Sequence, residues 1–116
     1  MLKKGQINRP TLIKLLTEEE FVEITFRKST TGTVRVMACT LRLDKIQPIY
    51  HKSVEFTLKS QETSILPVWD IIKGGWRSFK IPTVIQVQPA SHMGRIEQIA
   101  ARVGRKNWQG KEIKNR

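Results

Sequence analysis

The spacing of apolar residues changes several times along the chain, and each change marks an element. After a polar start, Pro10 and Thr11 open the run PTLIKLLTEEE, where Leu12, Leu15 and Leu16 recur at helical spacing. Proline suits a first helical turn, so a short helix is predicted there. In FVEITFRK, Val22, Ile24 and Phe26 then alternate with Glu23, Thr25 and Arg27, the period of a half-buried strand. The polar STTGT is a turn, and TVRVMACTL, rich in β-branched residues, is the returning strand. Residues 21–42 are therefore predicted as a hairpin around Gly32.

The next segment, DKIQPIYHKSVEFTLKSQETS, has no clear period. Pro48 breaks it, and its Lys, Gln and Ser residues suggest a mobile connection in which only SVEFTL has strand character. SILPVWDII and WRSFKI follow, joined by Lys73-Gly74-Gly75, where glycine allows the positive backbone angle that a tight hairpin turn demands. Pro82 interrupts this second hairpin, and TVIQVQ supplies a last short strand with Val84 and Ile85 apolar. About five short strands in so small a chain predict a mainly β fold, a strongly bent SH3-like or Sm-like barrel over residues 21–89. Residues 1–20 carry the short helix. Residues 90–116 form a basic tail, in which Ile96, Ile99, Ala100 and Val103 make an apolar stripe at helical spacing and Gly104 is placed to end the helix.

The 116 residues suit one core. What sets the chain apart is charge: 21 Lys and Arg against 10 Asp and Glu leave +11. The tail from residue 94 contributes seven basic side chains and two acids. An excess of this size favours polyanionic partners, nucleic acid (DNA or RNA) first among them, although a basic protein that binds nothing anionic carries the same charge. The single cysteine, Cys39, excludes an intramolecular disulfide and, set among Val36, Met37 and Leu41, reads as a small buried hydrophobe. No apolar run approaches the ~18 residues that cross a bilayer, and MLKKGQINRP lacks the apolar centre of a secretory signal. A cytoplasmic location without membrane association is expected.

Catalysis needs a nucleophile with a base, paired carboxylates or clustered metal ligands. His51 and His92 stand alone in polar segments and read as exposed bystanders, Cys39 has no base nearby in its hairpin, and Asp70 is the only acid between Glu62 and Glu97. The expectation is a non-enzymatic protein with no metal and no cofactor.

Two blocks, ITFRKSTTGTVRVMACTL and VWDIIKGGWRSFKIPTVIQV, resemble the WYL_2 family, small phage and bacterial proteins with an Sm-like SH3 β-barrel. The family looks like a Thr-Phe-x-Lys strand, a Gly turn, Arg-Val-Met and Cys-Thr in the first block, and Val-Trp-Asp, a turn and Trp-Arg-Ser-Phe-Arg in the second. The second block is also similar to the end of the larger WYL modules of bacterial transcription regulators, whose closing strand lines a site for nucleic acid or another negatively charged effector. That resemblance implies that Arg77 and Lys80 take the places of two basic residues and Phe79 that of a packed aromatic. The chain departs from it at Pro82, where an acid is usual, and at Thr83.

These readings give a function expectation of a phage-type nucleic-acid-binding module that modulates transcription or nucleic-acid processing. Its candidate phosphate contacts are Arg35, Arg77 and Lys80 on the barrel rim and Arg102, Arg105, Lys106, Lys111 and Lys114 in the tail, with Trp76 and Trp108 as possible stacking residues. Strand alternation in WRSFKI sends Trp76, Ser78 and Lys80 one way and Arg77, Phe79 and Ile81 the other, with Phe79 and Ile81 on the core face. Trp69 and Trp76 serve equally as core material. In the tail, Ile99, Ala100 and Gly104 match part of a helix-turn-helix, whereas Gly110 sits where an apolar residue is usual. The alternative is an adaptor that binds a polymerase or belongs to a particle, laying Ile96, Ile99 and Val103 into a partner groove. Oligomerisation through edge strands is open, and Pro82 would blunt one edge.

Overall fold

A computed structural model describes residues 6–28 and 30–90. The first helix, α1 (Arg9–Glu18), begins where expected, with Pro10 in its first turn. Asn8 caps it: its side chain accepts the Thr11 amide, and the Thr11 hydroxyl accepts the Asn8 amide in return. Two of the free amides of the first turn are thereby satisfied. Leu12 and Leu16, one turn apart, face inward and are fully buried.

Both predicted hairpins form. β1 (Val22–Arg27) pairs antiparallel with β2 (Val34–Thr40), so that Val22 opposes Cys39, Ile24 opposes Met37 and Phe26 opposes Arg35 on the core face. β3 (Ile65–Asp70) pairs with β4 (Gly75–Lys80), putting Leu66 and Phe79 opposite one another on that face and Trp69 opposite Trp76 on the other. Gly32 and Gly74 adopt φ of 71° and 73°, the left-handed region in which a side chain is strained. After a 3₁₀ turn at Ile81–Thr83, β5 (Val84–Pro89) returns to β1.

The five strands make one sheet in the order β4-β3-β2-β1-β5. Its two edges, β4 and β5, are joined by a single short turn, so the sheet must curl until they meet. Phe26 of β1 and Phe79 of β4 accordingly touch, ring centres 6.2 Å apart, although two strands lie between them in the sheet. A register shift at Thr25 and Phe26 bends β1 where it pairs with β5. Ala90 belongs with this body: it is buried, and its amide donates to the Phe21 carbonyl.

The segment expected to be a mobile connection with strand character is a helix, α2 (His51–Lys59). SVEFTL alternates over too few residues to separate the two periods. Packing decides between them: Val54 and Thr57, one helical turn apart, are buried, while Glu55, Phe56 and Leu58 point outward. His51 is likewise no exposed bystander. Its Nε2 lies 3.0 Å from the Leu43 carbonyl and 2.8 Å from that of Ile46, fastening the preceding turn to the start of α2.

Arg9 joins the two helices to the sheet. Nearly buried, it donates from Nη2 to the Thr57 carbonyl in the last turn of α2, and from Nη1 to the carbonyls of Glu62 (2.8 Å) and Ile65 (3.2 Å). A cation at a helix C-terminus complements the dipole there, and the Thr57 carbonyl takes Arg9 beside the Ser60 amide. Arg9→Ala should therefore lower stability by about 2–3 kcal/mol in urea unfolding, because buried acceptors lose a charged donor. Arg9→Lys should recover only part of that loss, since one ammonium cannot reproduce the planar fork.

Candidate functional site

β2 and β3 are paired through only two residue pairs, Cys39 with Asp70 and Thr40 with Trp69, extended by the Ile71 amide donating to the Ala38 carbonyl. The first half of β2 has no β3 partner. A concavity of about 420 Å³ opens between that half, the end of β1 and strand β4. Phe26, Met37 and Phe79 contribute apolar wall, and Arg27, Lys28, Arg35, Arg77 and Lys80 surround it.

Each cation is placed by a simple local rule. Arg35 is two residues before Met37 and opposite Phe26, so it lies on the core face where the core runs out into solvent. Arg77 is opposite Val68 on the same face. Lys80 alternates to the other face, yet it stands at the last position of β4, where the chain turns into the 3₁₀ segment, and reaches the same concavity. The rim position is what allows these two residues to share one site despite opposite strand faces. Arg27 and Lys28 follow at the end of β1; the Arg27 guanidinium donates to the Gly32 carbonyl across the turn at 2.8 Å.

Among the described residues one acid lines the concavity, Asp70. It is buried, and its Oδ1 accepts the amides of Ile72 (2.9 Å) and Lys73 (3.0 Å), an Asx-type turn that holds the β3–β4 corner. Its Oδ2 lies 3.7 Å from Nε of Arg77. Asp70 is thus already committed, and it fixes Arg77 at the edge of the opening. Neither Arg35 nor Lys80 takes part in an ion pair among the described residues.

Cys39, directly opposite Asp70, is fully buried as expected. Burial first, and the Asp70 charge second, push its thiol well above the ordinary range, which makes it a poor nucleophile. Among the described residues no group of three or more His, Cys, Asp or Glu could hold a metal ion, and no helix is long and apolar enough to cross a membrane.

The tryptophans flank this site on the outer face of the hairpin. Trp69 meets Trp76 edge to face at 5.6 Å and Tyr50 at 5.0 Å, and both indoles are half-buried against the core. Of the residues singled out from sequence, Arg35, Arg77 and Lys80 are brought together. Arg102, Arg105, Lys106, Trp108, Lys111 and Lys114 lie outside the described residues. Arg27, Lys28 and Asp70 were not singled out as site residues. Their signal was present in the paired basic residues ending β1 and in the lone acid before a Gly-Gly turn.

The chain belongs to the WYL_2 family, described as an Sm-like SH3 beta-barrel fold, which matches residues 10–85. No curated protein and no solved structure matches it. The match spans α1, both hairpins and the start of β5, and so takes in every residue placed around the concavity.

Asp70→Ala should cost about 1–3 kcal/mol in urea unfolding, because two amides at the β3–β4 corner lose their acceptor. Asp70→Asn keeps that acceptor through its side-chain oxygen and should cost clearly less.

Proposed function

We propose that this protein is a non-enzymatic, phage-type nucleic-acid-binding module that holds the phosphate backbone in the cationic concavity beside β4. The observation that carries this reading is the convergence of five cationic side chains on one opening whose single acid, among the described residues, is already engaged by two amides and Arg77. Such a surplus of positive charge attracts a polyanion and releases its counterions on binding. The net charge of +11 steers the same partners from a distance. Basic residues of the tail, Arg102, Arg105, Lys106, Lys111 and Lys114, would add further phosphate contacts. A role in transcription or nucleic-acid processing, in the cytoplasm of a host cell, follows by analogy with the larger WYL modules.

The adaptor reading also has support, from Ile49 and Phe56, which are 80% and 76% exposed on the α2 side of the molecule. Apolar side chains so placed suit a protein partner. The charge pattern favours nucleic acid, since the opening next to this surface rims its apolar wall with five cations.

Titration with a labelled oligonucleotide over a range of salt concentrations tests the proposal. Affinity should fall steeply with salt, and Arg35→Gln and Lys80→Gln should each weaken binding across sequences and reduce the salt slope by about 1. These two positions are preferable to Arg77, whose loss would strand the buried Asp70 carboxylate. Binding no tighter than that of an unrelated protein of equal charge, or unchanged in both variants, would overturn the proposal.

A further inference from the structure

A second depression, of about 550 Å³, lies between α2 and the outer face of the β3–β4 hairpin. Phe56, Pro67 and Trp76 give it apolar surface, Lys52 and Arg77 give it positive charge, and among the described residues no acid lines it. Arg77 and Ser78 line both depressions, so the two meet along β4. β4 is an edge of the sheet, and among the described residues no strand covers the junction.

The two aromatic rings differ in how they are held. Trp76 is fixed by its edge-to-face contact with Trp69, which is in turn packed on Tyr50. Phe56 is carried outward by the same helical spacing that buries Val54 and Thr57, and 76% of it is exposed. An aromatic left in water beside a fixed indole and two cations forms an open shelf rather than an enclosed pocket. A planar ring with a charged backbone fits such a shelf, because each base offers a π-face and each linkage a phosphate. An apolar peptide anchor gains most from a pocket that surrounds it.

We infer that this shelf is a base-stacking subsite for single-stranded nucleic acid, with Phe56 and Trp76 receiving bases and Lys52 and Arg77 neighbouring phosphates. The inference rests on the nucleic-acid reading of the adjoining concavity and specifies the form bound. A duplex hides its base faces and can use only the cations. A strand passing over β4 uses both depressions at once.

Two probes of equal length separate the subsite from the phosphate contacts: an oligothymidylate, and an abasic strand with the same number of phosphates. The intact chain should prefer the oligothymidylate by about 5- to 150-fold, the range that one stacked base commands, with quenching of tryptophan fluorescence. Phe56→Ala and Phe56→Leu should both remove most of that preference while leaving abasic-strand binding and the unfolding midpoint unchanged. Leucine keeps the apolar bulk without the ring, so retention of the preference in Phe56→Leu would overturn stacking. Equal binding of both probes by the unaltered protein would overturn the subsite while leaving the cationic concavity intact. Failure of both probes to bind would overturn the nucleic-acid reading itself. Saturable binding of an acidic peptide at Phe56, with no discrimination between the two strands, would assign the shelf to a protein partner instead.

Discussion

The short pairing between β2 and β3 is the constraint on which the rest of the molecule depends. β2 is matched to β1 over six positions but to β3 over only two. Curling the sheet brings β4 around to β5, and the half of β2 that lacks a β3 partner then lines a gap that β4 borders. Residues that alternate toward the core, such as Arg35 and Arg77, reach that gap beyond the last apolar layer. A fully paired sheet would have placed the same side chains over a closed core, where an unpaired guanidinium is costly.

Two arginines show how position decides the use of one side chain. Arg9 donates from both terminal nitrogens to backbone carbonyls of α2 and of the chain entering β3, and its work is to hold the helices to the sheet. Arg77 is held at one nitrogen by a buried carboxylate and remains 41% exposed in its side chain. The first turns its terminal donors inward to the backbone; the second turns them toward solvent. Asp70 therefore serves the fold through the corner amides and the site through Arg77.

The hairpins were legible because strict alternation and the turn glycines Gly32 and Gly74 state the same thing at two levels. α2 was not legible, because SVEFTL fits both periods and only burial of Val54 and Thr57 against the sheet chooses the helix. His51 was misread for a related reason: its partners are backbone carbonyls, which carry no sequence signal. Arg77 and Lys80 could be named from the second block, and strand alternation assigned them to opposite faces. Their meeting at one opening depends on the end of β4 and the curl of the sheet, which no local pattern encodes. Phe56 was hidden by the same ambiguity as its helix.

The central claim is that nucleic acid occupies the opening beside β4. The most direct test is a map of backbone amide chemical shifts in the full chain as an oligonucleotide is added. The account predicts the largest changes at Phe26–Lys28, Arg35–Met37 and Arg77–Lys80, which lie on three separated strand segments but around one concavity. Changes confined to residues 91–116, or to the outer face of β1 and β5, would contradict it.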